Sequence, residues 1–185
     1  MSGQNAVNPA ALGAKFGLLA GLGCVIFLLA LFLIKRNLLL SPWILSGFVI
    51  IVAFKVAAAY FLWRSRGGEV AFKDSLQAVF TVSAISLLIF VLFFYLLFNF
   101  IDLSLLEQVK NNITANAVKS FEDGRITKEH LDAGIAKIEK LRFGLWEGWV
   151  AYAVFLCAGF FYALVLAAVS RLISRDIAQK IAANN

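Results

Sequence analysis

Four long apolar blocks limit what this chain can fold into. They cover residues 16–34, 43–62, 76–101 and 145–170, and each approaches or exceeds the roughly 18–20 apolar residues that a helix needs to cross about 30 Å of hydrocarbon. Because lipid offers no partners to backbone N–H and C=O groups, a crossing segment must be a helix or a barrel strand. The blocks lack the alternation of polar and apolar residues that is typical of barrel strands. We therefore predict an all-α integral membrane protein with four transmembrane helices.

The composition is too apolar for a soluble protein, and the polar part of the chain is too short for a second, soluble domain. Hydrophobic residues make up 62% of the sequence and charged residues 15%, against about half and a quarter in soluble domains. The only large polar segment is 102–144, which is shorter than an ordinary domain. We expect one membrane domain over residues 1–185, with this segment as a polar insertion.

The polar insertion has the pattern of two short helices. Asp102 can cap a first helix through its side-chain oxygen, and apolar residues follow at helical spacing to Phe121. Asp123-Gly124 is a turn signal, and Thr127 can cap a second helix. We predict an extramembrane helical hairpin between helices three and four, with an extension of these two helices beyond the membrane as the alternative. Its apolar faces would pack on each other or lie on the membrane surface.

The basic residues predict the orientation, because Lys and Arg favour short cytoplasmic loops. With four spans both termini lie on one side, together with the loop between helices two and three. That side has seven basic residues, and the first loop on the other side has two, Lys35 and Arg36. The seven are Lys15, Arg64, Arg66, Lys73, Arg171, Arg175 and Lys180. The flanks of the first helix alone favour the opposite orientation. The full count predicts cytoplasmic termini.

Small residues recur every four positions at two places. Gly13, Gly17 and Gly21 form a stripe on the first helix, and Gly144 and Gly148 repeat the spacing at the start of the fourth. Such stripes allow two helix backbones to approach closely. We interpret them as helix packing within the chain, with a dimer interface as the alternative.

Lys55 is the first candidate for a functional side chain, because it lies well inside the second apolar block. A charge inside a membrane is costly and is a functional candidate by default. The alternatives are a structural role or an ammonium that reaches an interface on its long stem. No Asp or Glu occurs at matching depth in the other blocks, where the available polar groups are hydroxyls such as Thr81, Ser83 and Ser86.

A second group of polar residues falls where helix three ends and helix four begins. Asn99, Asp102 and Glu147 could form a small cluster there, although Glu147 also suits the positive end of a helix. No catalytic set, phosphate loop or metal-ligand spacing occurs in the sequence, so we expect no enzyme activity, cofactor or metal. Cys24 and Cys157 lie inside apolar blocks, where small apolar packing is expected. Their similar predicted depth would allow them to face each other.

Two stretches resemble a known family. They are RSRGGEVAFK at residues 64–73 and YLLFNFID at residues 95–102, the latter followed by the amphipathic segment to Phe121. With four spans and one long loop before the last, the chain resembles the bacterial membrane family called domain of unknown function 4199. It departs at Ala71, where that family commonly has Ser or Thr. The resemblance implies a multi-pass protein of the bacterial inner membrane and no assigned activity.

Three functional hypotheses follow. The first is a non-enzymatic scaffold or accessory subunit that binds lipid, a membrane-protein partner or further copies of itself, and no nucleic acid. The second is a small oligomeric transporter, channel or lipid-carrier flippase that uses Lys55 and the polar residues of helix three. A membrane enzyme is the weakest of the three, because no catalytic constellation supports it.

Overall fold

The computed structural model describes residues 7–34 and 46–183, with side chains up to residue 173. This part of the chain forms α-helices and one π-helical turn, and no strand. The helices are α1 (Pro9–Ile34), α2 (Ser46–Ser65), α3 (Phe72–Leu96), α4 (Ser104–Glu122), α5 (Lys128–Glu139) and α6 (Leu145–Ala183). The π-helical turn, Leu97–Ile101, continues α3. The predicted first loop with Lys35 and Arg36, and the predicted start of the second span, lie outside the described residues.

Four of these helices are long and apolar enough to cross a membrane, as predicted. They comprise Pro9–Ile34, Ser46–Ser65, Phe72–Ile101 and Leu145–Ile173. The first begins at Pro9 rather than at residue 16, because a short stretch of small and apolar residues that ends at Lys15 extends it. The third begins at Phe72 rather than at residue 76, because a polar first turn with Lys73 and Asp74 precedes its apolar block. The number and the type of the long helices were thus readable from apolar length alone.

Local capping explains where three of the helices begin. Asn8 Oδ1 accepts a hydrogen bond of 3.0 Å from the N–H of Ala10 at the start of α1. Asp102 Oδ1 accepts from the N–H of Ser104 at 3.1 Å, and the Thr127 hydroxyl accepts from the N–H of His130 at 3.4 Å. Side-chain acceptors at these positions satisfy N–H groups that have no partner within the helix. The predicted caps at Asp102 and Thr127 are confirmed.

The structure divides into two compact units, of which the first comprises Met1–Phe90 and Tyr152–Asn185. Its core is built where α1, α2 and α3 meet. Ala20, Ala58 and Val82 form one fully buried cluster, and a second contains Leu62, Val70 and Ala78. Helices α1 and α2 contact each other, as the short predicted loop between them required. The small residues in both clusters allow the helices to lie close together.

Helix α6 joins this unit through α3 and α2. The Tyr152 hydroxyl donates a hydrogen bond of 3.2 Å to the carbonyl oxygen of Ala84 on α3. A side chain on Gly159 would place its Cβ 3.3 Å from the Cβ of Ser83. Phe155 stacks at 5.6 Å between ring centroids on Phe48 of α2. These contacts run along one side of α6, and much of the rest of the helix is exposed.

The second unit, Val91–Ala151, contains the π-helical turn, α4 and α5. The two helices contact each other, and Gly124, with φ at 71°, reverses the chain between them. The Lys110 ammonium donates a hydrogen bond of 2.9 Å to the carbonyl oxygen of Glu139 at the end of α5. A cation at a helix C-terminus satisfies a carbonyl there and complements the helix dipole.

Candidate functional site

Lys55 lies on the buried side of α2. The buried residues of this helix are Gly47, Ile51, Lys55, Ala58 and Leu62, and their spacing of three or four residues defines a single face. The lysine is only 5% exposed. Its side chain therefore lies within the helix packing and not on the exposed surface of α2.

The ammonium of Lys55 is placed over an aromatic ring. Its Nζ lies 4.9 Å from the centroid of the Tyr162 ring on α6, within the roughly 6 Å over which a ring face attracts a cation. No carboxylate of the described residues forms an ion pair with it. A cation that has left water without a counter-ion is costly, and the ring face offsets part of that cost. The geometry holds a charge between α2 and α6.

The buried hydroxyls near this level of the bundle are used within their own helix. Ser83 donates to the carbonyl oxygen of Val79 at 3.2 Å, and Ser86 donates to that of Val82 at 2.7 Å. Both serines are fully buried. Such bonds satisfy a hydroxyl without any partner from another helix. The second and third helices thus contribute one buried cation and two hydroxyls that face their own backbone.

The polar residues at the end of α3 have separate roles. Asn99 Nδ2 donates to the carbonyl oxygens of Tyr95 and Phe143, both at 2.8 Å. Asp102 Oδ1 accepts from the Ser104 hydroxyl at 2.6 Å as well as from its N–H. Asn99 thus fixes the segment that leads into α6, and Asp102 organises the start of α4.

Glu147 is exposed in the first turn of α6, where its negative charge suits the helix dipole. Its carboxylate folds back towards Gly144, so that a Cβ at Gly144 would lie 2.7 Å from Glu147 Oε2. A Cβ at Gly148 would meet only the Cγ1 of Val91, at 3.4 Å. Gly144 therefore accommodates the glutamate side chain, whereas Gly148 is a point of ordinary packing.

The glycine stripe of α1 lies directly on α3. A Cβ at Gly13 would lie 2.5 Å from the carbonyl oxygen of Ala78, and one at Gly17 would lie 3.2 Å from the Cα of Val82. A Cβ at Gly21 would lie 2.9 Å from that of Ile89. The two helices approach so closely that no side chain fits between them. This stripe is occupied within the chain.

A second stripe of small residues escaped the sequence analysis. Gly159, Ala163 and Ala167 are the buried residues of the described part of α6 within the first unit, and they recur every four positions. The spacing is the same signal that identified the stripe on α1. It was overlooked because alanine is common throughout this apolar helix. It allows α6 to pack closely against α3 at Ser83.

The two cysteines are separated in the fold. Cys24 is fully buried, and its Sγ lies 3.7 Å from the carbonyl oxygen of Gly47 on α2. Cys157 is exposed, and neither forms a disulfide. Cys24 packs against α2, so the two thiols have different surroundings despite their similar predicted depth.

Comparison with known families assigns the chain. The sequence profile described as "Protein of unknown function (DUF4199)" matches residues 15–176. The chain belongs to this family. No curated protein matches it, and no solved structure does. Membership agrees with the four long apolar helices of the structure and brings no assigned activity to this DUF4199 chain.

The first family-like stretch of the DUF4199 chain, residues 64–73, forms a tightly closed turn. Gly67 and Gly68 have positive φ values of 66° and 94°, which favour glycine. The Gly68 N–H donates to the carbonyl oxygen of Trp63 at 3.0 Å. Arg66 forms an ion pair with Asp74 in the first turn of α3. Sequence analysis used Arg66 to predict orientation and as part of the family-like stretch, and it missed this pair.

A groove opens between α2 and α6 beside this turn. Its volume is about 350 Å³. Its walls are almost wholly apolar, with Tyr60, Trp63 and Ser170 as the polar-tipped exceptions. The lining residues are Val56, Ala59, Tyr60, Trp63, Leu166, Val169, Ser170 and Ile173. Lys55 and Tyr162 precede the first lining residue of their respective helices, so the buried cation lies beyond the inner end of the groove.

Proposed function

We propose that this DUF4199 protein is a multi-pass protein of the bacterial inner membrane that acts without catalysis, as a scaffold or accessory subunit of a membrane complex. The buried contact of Lys55 with Tyr162 is the observation that carries the proposal. It accounts for the charge inside the membrane as a link between two helices. A scaffold needs rigid helices and exposed apolar faces rather than a reactive site.

The internal polar groups support a structural role for the spans. Ser83 and Ser86 are bonded to their own helix, and the glycine stripe of α1 is filled by α3. These groups stabilise the packing of one chain, and none of them is aimed at a passage. Interactions of this kind position helices in a membrane, where water does not drive their association.

Helix α6 is the span with the largest surface to offer a partner. Only 17% of the most apolar stretch of α6 is buried, whereas 39% of the corresponding stretch of the third span is buried. Phe161 and Val165 are 67% and 61% exposed on the face away from the small-residue stripe. In a membrane this face contacts lipid or another protein. We assign it to a membrane-protein partner.

The proposed topology has both termini in the cytoplasm and α4 with α5 as a helical hairpin outside it. Arg64, Arg66 and Lys73 surround the turn between α2 and α3, and positive charge of this kind is retained on the cytoplasmic side. Leu103 and Phe121 of α4 are 69% and 38% exposed. Such apolar residues on a charged helix suit contact with the membrane surface.

Cysteine accessibility tests this topology. Glu69→Cys and Glu122→Cys introduce thiols at exposed positions on opposite sides of the proposed bundle, in a background with Cys24 and Cys157 changed to Ser. A membrane-impermeant maleimide should label the variant at residue 122 in cells with a permeabilised outer membrane. It should label the variant at residue 69 only after the inner membrane is broken. The reverse result overturns the orientation, and labelling of both overturns the topology.

Photo-crosslinking tests the scaffold role. A photoreactive amino acid at Phe161 on α6 is compared with one at Ile26 on α1, since both side chains are 67% exposed. The probe at residue 161 should give one discrete protein adduct in cells, and the probe at residue 26 should give lipid adducts. Lipid adducts at both positions, with a monomer after purification, contradict the proposal.

The second candidate is a small oligomeric transporter, channel or lipid-carrier flippase. The burial of Lys55 without a carboxylate partner among the described residues favours it, because intramembrane cations commonly mark such pathways. Lys55→Met separates the two candidates. A transporter loses its cellular function with this variant at normal protein levels, whereas a scaffold retains both its function and its α6 crosslink.

A further inference from the structure

The groove between α2 and α6 has the dimensions of a site for part of one lipid chain. Its wall on α2 runs from Val56 to Trp63, which is about 10 Å along the helix and about a third of a hydrocarbon core. Its volume of about 350 Å³ lies at the small end of the range for ligand sites. A partner helix of about 20 residues would contact the groove along only two of its turns. The length thus favours a flexible chain over another helix.

The polar groups of the groove are at one end. Trp63 and Tyr60 form an aromatic pair with ring centroids 6.0 Å apart, and Tyr60 is 51% exposed. Amphipathic rings of this kind favour the level of the lipid headgroups. Towards the other end the lining contains Val56, Ala59 and Leu166. The groove is therefore oriented like a lipid, with its aromatic end at the headgroup level.

A positive charge flanks the aromatic end. Arg64 follows Trp63 and lies one turn beyond Tyr60, on the same side of α2. It is exposed, and no carboxylate among the described residues pairs with it. Arg66 differs, because Asp74 neutralises it. An exposed, unneutralised guanidinium at headgroup level attracts a phosphate and forms bidentate hydrogen bonds with it.

We propose that this groove binds an anionic phospholipid, with the upper part of one acyl chain between α2 and α6 and the phosphate at Arg64. The inference rests on the membrane location proposed above. Charge complementarity favours an anionic occupant, since a headgroup with a net negative charge is attracted to Arg64 more strongly than a zwitterionic one, in which a cation offsets the phosphate.

Quenching of Trp63 fluorescence by brominated lipids tests the site. The other three tryptophans are changed to Phe, and the protein is reconstituted in phosphatidylcholine bilayers that contain a small fraction of brominated phosphatidylglycerol or brominated phosphatidylcholine. Arg64 should concentrate the anionic lipid at Trp63 about fivefold, as expected for one basic residue near a membrane surface. Arg64→Gln should abolish this preference.

Two further variants distinguish a site from diffuse attraction. Arg171→Gln removes an exposed charge from α6 that lies off the face lined by Ser170 and Ile173, and it should keep the preference. Ala59→Phe fills the groove and should abolish the preference while Arg64 remains. An equal loss in both arginine variants, or no loss in Ala59→Phe, overturns the proposal.

The remaining outcomes are also decisive. If both brominated lipids quench Trp63 equally in the protein with Arg64, the proposal of an anionic occupant is wrong, and the groove binds lipids without regard to their charge. Absence of quenching by either lipid means that no acyl chain reaches Trp63 and overturns the lipid site, whereas the cysteine labelling reports independently on the membrane location. The photo-crosslinking at Phe161 reports independently on the scaffold role.

Discussion

Lys55 and Tyr162 face each other across α2 and α6, with the ammonium nitrogen 4.9 Å from the ring centroid. The lysine is 5% exposed and has no carboxylate partner among the described residues. The ring face is therefore the chief electrostatic compensation that the described residues offer this charge.

A double-mutant cycle measures this contact. Tyr162→Leu should lower the free energy of unfolding by more in the wild-type background than in the Lys55→Met background, with a coupling of about 0.5–2 kcal/mol. Lys55→Met alone should be neutral or stabilising, because it removes a buried charge that has no counter-ion. Denaturant unfolding in mixed micelles gives all four values. If Tyr162→Leu lowers the free energy of unfolding equally in both backgrounds, the ring stabilises the protein by packing alone and not through the ammonium.

The glycine contact between α1 and α3 predicts a strong position dependence. Gly13→Ala places a methyl group 2.5 Å from a backbone oxygen of α3 and should destabilise the protein by about 1–3 kcal/mol. Gly23→Ala is the matched control, because its methyl group would meet only the Cγ2 of Ile50 at 3.6 Å. It should be neutral or slightly stabilising through helix propensity. Thermal unfolding in detergent compares them, and similar effects at both positions would refute the close approach.

The ion pair between Arg66 and Asp74 should stabilise the turn after α2. The two side chains are 27% and 24% exposed, so we expect a coupling of about 0.2–1 kcal/mol that decreases with salt. Arg66→Gln, Asp74→Asn and the double variant provide the cycle. The pair of Arg125 with Asp123 is the control, because it is more exposed and longer, at 3.4 Å. It should show no measurable coupling.

Asn99 should hold the segment that leads into α6. Asn99→Asp keeps the shape but removes the donor to the carbonyl oxygens of Tyr95 and Phe143, and it should cost about 1–3 kcal/mol. Hydrogen exchange should increase around residues 97–101 and 143–148. Asn112→Asp, on the exposed side of α4, should leave exchange in both regions unchanged. Unchanged exchange in Asn99→Asp would mean that the hydrogen bonds do not restrain the segment.

The features that sequence analysis found correctly are those that depend on short stretches of chain. The four long helices follow from apolar length, since a spanning helix needs a fixed number of apolar residues. The caps at Asp102 and Thr127 involve residues only two or three positions away. Turn chemistry at Gly124 is equally local.

The features that sequence analysis missed depend on pairs that are distant in the chain. Nothing near Lys55 identifies Tyr162 as its partner, because the packing of α2 on α6 selects which ring meets the ammonium. Arg66 meets Asp74 only because the glycine turn folds α3 back. The stripe of Gly159, Ala163 and Ala167 had a readable spacing but too weak a contrast with its alanine-rich surroundings.

The contact of α1 with α3 also has an evolutionary consequence. Three positions of α1 tolerate no side chain, whereas the exposed residues beside them need only remain apolar. Sequence drift is therefore expected to replace Leu18, Leu19 and Leu22 freely and to keep the glycines. An alignment of distant relatives can take its register from this four-residue spacing when no other identity is left in the first helix.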